Sequence, residues 1–352
     1  MKQIFVYIAM IFLLASCNDG DEAVIEDLDE NKKLSIPQPD YFPELTYDVD
    51  ANPPTEKGFE LGKKLFYDGK LSSSGVISCG FCHMQEFSFT HHTHKVSHGV
   101  GGALGNRNAQ PLHNLAFKKN FNWDGAAAHL DAQFIIPITT DVEMNEEIGN
   151  VLDKLRADST YNEMFDEAFE NGEINTENFF DALSQFLVMM VSNETKYDRV
   201  VHEGTANFSA EEQAGKALFE SKCSSCHSGE LFTNQQFMNN GLPIDPQYDD
   251  KGRSRITGNP EDDYKFQVPS LRNVELTLPY MHDGRFETLK DVLDFYDSGV
   301  EETPNISQEM YQNNANANAG IPLTEEEKTQ IIAFLKTLSD IDFTLDERYA
   351  EF

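Results

Sequence analysis

"CGFCH" at residues 79–83 and "CSSCH" at residues 223–227 decide how this chain is read. Two thiols three positions apart lie on one helical turn, where each can form a thioether to a vinyl group of the same porphyrin. The histidine that follows then sits beneath the ring and offers a nitrogen to the iron. A redox C-x-x-C or half of a zinc site would also use the cysteines. Neither requires a histidine in the same place twice. The reading is two covalently bound c-type haems, through Cys79, Cys82 and His83 and through Cys223, Cys226 and His227.

Working outward, each motif follows a segment of similar pattern, "GFELGKKLF" (58–66) and "EEQAGKALFESK" (211–222), with apolar residues at helical spacing. "SAEE" (209–212) is a capping box opening the second of these helices, and "TEEE" (324–327) opens a final helix with Ile331, Ile332, Leu335 and Leu338 on one face. Ile148, Val151, Leu152 and Leu155 form another stripe, and 179–191 reads as a further helix. Long alternating strands are lacking. A helix feeding a haem motif, twice, predicts a mainly α chain of two cytochrome c-like domains with long connecting loops.

The ends and the charge set further bounds. "MKQIFVYIAMIFLLASC" (1–17) has the short apolar run of an exported precursor, and its "LLASC" resembles a bacterial lipobox with Cys17 as the acylated residue. Residues 18–40 are acidic, end in prolines and read as a flexible tether. The domains are then expected at 41–204 and 205–352, with the boundary near "HEGTANFS" (202–209). A net charge of −33 argues against nucleic acid and favours a basic redox partner or a small neutral substrate. The expected location is the periplasm or cell envelope, with a lipid anchor at Cys17.

The residues between the motifs are less specific. Trp123 is the chain's single tryptophan, and alone it reads as a core or interface anchor. Gln133 and Glu143 bracket a proline in "QFIIPITTDVEMN" and could line a small wet pocket, with Glu carrying protons and Gln orienting a bound oxygen species.

"KLFYDGKLSSSGVISCGFCH", "GNRNAQPLHNLAF", "WDG", "PITTDVEM", "CSSCH", "VPSLRNVELTLPYMHDGRF" and "AFLKTLSD" together resemble the bacterial di-haem cytochrome c peroxidase superfamily, which includes MauG. The likeness runs from about residue 55 to 340. It implies that the first haem, on His83, is the peroxidatic centre and that the second, on His227, relays electrons. It implies a distal pocket of Gln133 and Glu143 with Pro137 beside it, and Trp123 as the bridge between haems. It also implies a calcium ion held by Asn108, Thr277 and Pro279. His98, in "HHTHKVSHGVGGALGNRN" (91–108), is the match for the distal ligand of a resting first haem, although its gap to Arg107 is a little longer than the family's. His91, His92 and His94 read as solvated loop residues.

"PYMHDGRFETLKDVLDFYDSG" (279–299) offers Met281 and Tyr296 as sixth ligands for the second haem. Thr288 caps a short helix there, with Asp291 at its third position and Gly299 at its end. Leu289, Val292, Leu293 and Tyr296 share a face, so Tyr296 points inward and needs a hydroxyl partner. On its own it reads as a core tyrosine. In the resembling peroxidases a Met stands fourteen residues after the His of "HDG"; here that residue is Tyr296, as in MauG. Met281 reads as packing.

The leading expectation is an enzyme, an exported peroxidase that reduces hydrogen peroxide with electrons from a small cytochrome c or cupredoxin. A MauG-like oxidase acting on a partner protein residue through a high-valent di-haem state is the second. A non-catalytic di-haem electron carrier is the third, and an acid–base pair argues against it.

Overall fold

Gly62 and Gly215 occupy equivalent places in the two repeats. A Cβ on Gly62 would lie 2.0 Å from the Ala182 carbonyl oxygen, and one on Gly215 would lie 1.9 Å from that of Gln330. In this computed structural model, which describes residues 31–311 and 318–351, those glycines let two helix pairs cross with their backbones touching. Helix Glu56–Tyr67 crosses Thr176–Val188, and Ala210–Lys222 crosses Glu325–Lys336. One turn beyond each glycine, on the same face, Phe66 and Phe219 fill the core under the crossing. The chain is mainly helical with two cytochrome c-like domains.

The capping boxes form as the sequence predicts. Ser209 and Glu212, Thr324 and Glu327, and Thr288 and Asp291 each exchange both bonds. Val151, Leu152 and Leu155 face the core from helix Ile148–Arg156. The expected 179–191 helix begins earlier, at Thr176 under an Asn175 cap, and ends at Val188. The described strands are two residues each, Phe237–Met238 against Phe266–Gln267, antiparallel, with Phe237 opposite Gln267.

Two apolar cores result. One gathers residues from Phe42 to Val191 together with Leu231, Phe343 and Tyr349, and the other gathers residues between Tyr197 and Leu338. Asp198 and Arg272 form a fully buried ion pair at 2.8 Å near their junction. The Ser192 carbonyl accepts from Arg272 at 3.5 Å, while its hydroxyl donates to Asp340 and accepts from Asn273.

Three expectations change. The tether does not extend through 31–40, because Leu34 and Ile36 pack on the first core and Leu34 N–H donates to Pro54. The helix opened by Thr324 is not the final one. A turn at Ile341–Thr344 follows, capped by Asp340, and carries the last residues back onto the first core, where Phe343 and Tyr349 are buried. Tyr67 donates to the Tyr349 carbonyl at 2.7 Å, and Tyr349 donates to that of Met189 at 2.5 Å. Residues 341–351 thus pack on the first core, although the sequence reading grouped them with the second domain. The leader, Cys17 and residues 18–30 lie outside the described residues. Among those described, no helix is long and apolar enough to cross a membrane.

Candidate functional site

The two cysteine–histidine motifs are built alike. Ser78 caps the turn Cys79–Cys82, whose last bond runs from His83 N–H to the Cys79 carbonyl at 2.9 Å. The same bond joins His227 to Cys223 at 3.0 Å, directly after helix Ala210–Lys222. Each imidazole then donates from Nδ1 to a backbone carbonyl, His83 to Phe89 at 2.8 Å and His227 to Phe232 at 3.1 Å. Both acceptors are buried phenylalanines with left-handed backbone, φ 59° and 52°. That conformation is costly for a bulky residue and persists only when its surroundings impose it. Holding Nδ1–H fixes the tautomer and leaves Nε2 as a lone pair for a metal. Desolvation depresses both imidazoles, His227 to about 4, so both stay neutral and able to ligate.

None of the four motif cysteines is in a disulfide. Burial pushes Cys79 and Cys223 up to about 12, and burial with the nearby Glu143 charge pushes Cys82 to about 11. A redox C-x-x-C works by a depressed thiol pKa, and these are raised. The donor set fits haem c, and the cleft over the second motif fits its bulk. That cleft encloses about 1610 Å³ of empty space including its open mouth, with Cys223, Cys226 and His227 in its wall.

Tyr296 and Met281 line the same cleft. Helix Leu289–Asp294 widens into a π-turn at Phe295–Gly299, and this re-aims Tyr296. Burial raises its phenol to about 12, and a bond from Asn240 opposes the rise. Asn240 Nδ2 lies 3.3 Å from the Tyr296 hydroxyl and 3.9 Å from Met281 Sδ. No sequence signal marked Asn240.

Trp123 also lines this cleft, together with Asn108, Thr277 and Pro279. The indole N–H donates to the Asn108 carbonyl at 2.9 Å, and the Trp123 carbonyl accepts from Gln267 at 2.8 Å. Trp123 therefore bonds to both halves of the chain. Asn108 spends its amide nitrogen on the His94 and Lys95 carbonyls, which leaves its oxygen available to a hard cation beside Thr277 and Pro279. Arg107 was also missed. It pairs with Asp124 at 2.7 Å and Asp250 at 2.6 Å, spanning the halves next to the tryptophan.

At the first motif, Ser97 Oγ donates to Glu143 Oε1 at 3.2 Å, and Val100 N–H donates to the Glu143 carbonyl at 2.8 Å. Desolvation raises the Glu143 carboxyl above its ordinary range, while the Ser97 bond opposes this. Gln133 is held elsewhere, donating to Asn122 Oδ1 at 3.2 Å, and Pro137 accepts from Met144 N–H at 3.1 Å. The two pocket residues thus have separate partners. The His98 carbonyl lies 3.7 Å from Cys82 Sγ, which puts its loop at this centre. The solvated reading of the other loop histidines fails for His91, which is 3 % exposed. It packs among the rings of His94, His98 and Phe81. His92 stacks on Phe87.

The sequence profile of the di-haem cytochrome c peroxidase family matches residues 56–206, and that of cytochrome c matches 212–339. The methylamine utilization protein MauG of Methylorubrum extorquens is 35% identical over 84% of this chain and 82% of its own. The chain belongs to the di-haem cytochrome c peroxidase and MauG superfamily. Within it, the cytochrome c551 peroxidase of Pseudomonas aeruginosa is 31% identical over 85% of this chain and 83% of its own. A crystal structure of a MauG-like protein associated with microbial copper homeostasis superposes with a TM-score of 0.79 at 33% identity, covering 90% of this chain and 99% of that one. This member is a peroxidase-type oxidoreductase of haem c.

Proposed function

We propose that the chain is an exported enzyme that reduces hydrogen peroxide to water with two electrons from a small cytochrome c or cupredoxin and two protons. The observation that carries this is Glu143, a desolvated carboxyl on Ser97 beside the first motif. Haem c, held through Cys79 and Cys82 and through Cys223 and Cys226 with His83 and His227 as ligands, supplies the iron that takes peroxide and the couple that returns electrons. Glu143 holds and moves the proton between the two peroxide oxygens. Gln133 orients the bound molecule once released from Asn122. Trp123, in the wall of the second cleft and bonded to Asn108 and Gln267, carries the electrons from one centre to the other. Calcium at Asn108, Thr277 and Pro279 holds that bridge in place, and Cys17 carries the lipid that keeps the enzyme at the envelope.

Tyr296 favours a second reading. A phenolate ligand stabilises higher iron oxidation states than a thioether does. It therefore suits a MauG-like oxidase that withdraws electrons from a residue of a partner protein. The deciding experiment supplies peroxide to the purified protein with reduced cytochrome c, after a pyridine haemochrome count. Two haems per chain with rapid oxidation of the cytochrome support the peroxidase. Two haems with a persistent oxidised state and little turnover support the oxidase. A count of one or none ends both.

A further inference from the structure

His91, His94 and His98 stand on one loop between two anchored ends. Met84 and Thr90 form a β-bridge before it, and a His98–Leu104 bridge, with Ser97 N–H donating to the Arg107 carbonyl at 3.0 Å, holds its far end. Asn108 holds its middle through the His94 and Lys95 carbonyls. The three rings are packed together, with centroids 4.2 Å apart for His91 and His94, 4.3 Å for His94 and His98, and 5.6 Å for His91 and His98. One nitrogen from each lies within 4.8 Å of the other two. His91 is buried, yet its Nδ1 has no hydrogen-bond partner. A buried imidazole nitrogen without a partner, on a ring packed against two other imidazoles, calls for a ligand.

We propose that His91, His94 and His98 bind a divalent first-row transition ion of the zinc or copper class through three imidazole nitrogens. Tetrahedral coordination at about 2.0–2.1 Å places ligand nitrogens about 3.4 Å apart, so side-chain rotation within the anchored loop closes the site. Three neutral imidazoles select this class over calcium or magnesium, which take oxygen. His94 Nδ1 faces the His92 carbonyl at 3.3 Å, and that contact leaves its Nε2 free to ligate. His94 and His98 are half-buried, so the cluster is not sealed from solvent. The ion engages the imidazole of His98, so a metal-loaded loop keeps this side chain off the first haem.

The test is calorimetric titration of Zn²⁺ into the full di-haem protein, stripped with a chelator and returned to Ca²⁺-containing buffer. One equivalent per chain is expected, saturating stoichiometrically at micromolar protein. His94→Ala, at a half-exposed position that leaves the core intact, should weaken binding by at least ~10-fold. In the zinc-loaded protein, His98→Ala should release the metal and leave the ferric spectrum of the first haem unchanged. No Zn²⁺ uptake by wild type, or undiminished uptake by His94→Ala, overturns the site. So does a low-spin to high-spin change of that haem in zinc-loaded His98→Ala, because the imidazole would then belong to iron.

Discussion

Asn240 donates its side-chain amide to the Tyr296 hydroxyl at 3.3 Å and lies 3.9 Å from the sulfur of Met281. Two candidate ligands thus share one neighbour, and the hydrogen bond favours the oxygen. Tyr296→Met should raise the second haem's potential and abolish any phenolate band in the ferric spectrum, whereas Met281→Leu should change neither. Redox titration of both variants checks this. A potential that moves with Met281→Leu alone would reverse the ligand assignment.

Glu143→Gln should lower peroxide turnover by about 10²–10⁴-fold while both haems remain reducible by dithionite. Its stability should move the other way. A carboxyl whose folded pKa is raised binds more protons folded than unfolded, so wild type loses stability as pH rises through the unfolded value toward the folded one. Gln does not titrate. The variant should therefore gain in Tm relative to wild type as pH rises above the ordinary carboxylate range, while its activity collapses. A parallel loss of both would make Glu143 a packing residue.

Trp123→Phe keeps an aromatic ring in the cleft and removes the N–H that donates to Asn108. Stopped-flow traces should show the first haem reacting with peroxide at the wild-type rate and being re-reduced slowly. Traces that match wild type would leave Trp123 as an anchor only.

Calcium removal by a strong chelator should loosen the Asn108, Thr277 and Pro279 wall beside Trp123 and lower activity, with recovery on adding Ca²⁺. Chelation of wild type is cleaner than Asn108→Ala, which also breaks two bonds to the 94–95 backbone. Activity indifferent to chelation counts against the ion.

Arg107→Met should destabilise the protein by about 3–5 kcal/mol, because the buried Asp124 would lose its guanidinium and the buried Asp250 would keep only the more exposed Arg255 at 3.6 Å. Thermal unfolding checks the magnitude. Arg107→Lys should recover only part, since Lys cannot serve both carboxylates with the planar fork of a guanidinium.

The sequence by itself determined the local features of this protein. Cys79–His83 and Cys223–His227 are fixed by spacing along one turn, and Ser209, Thr288 and Thr324 announce their helices because a cap involves neighbours three residues apart. Helical periodicity likewise exposed Val151, Leu155, Ile331 and Leu335 as core. What depends on residues distant in the chain was decided only by the tertiary structure. Phe343 and Tyr349 fold back onto the first core because its apolar surface needs a cover that the preceding sequence does not contain. Arg107 is a lone charge until Asp250, far along the chain, meets it. The histidines at 91, 94 and 98 read as a polar loop, and burial of His91 emerged only when the chain around Phe81 and Asn108 closed over it. Spacing reports what neighbours on one helix or turn can do. Desolvation and ion pairing belong to contacts that exist only after collapse.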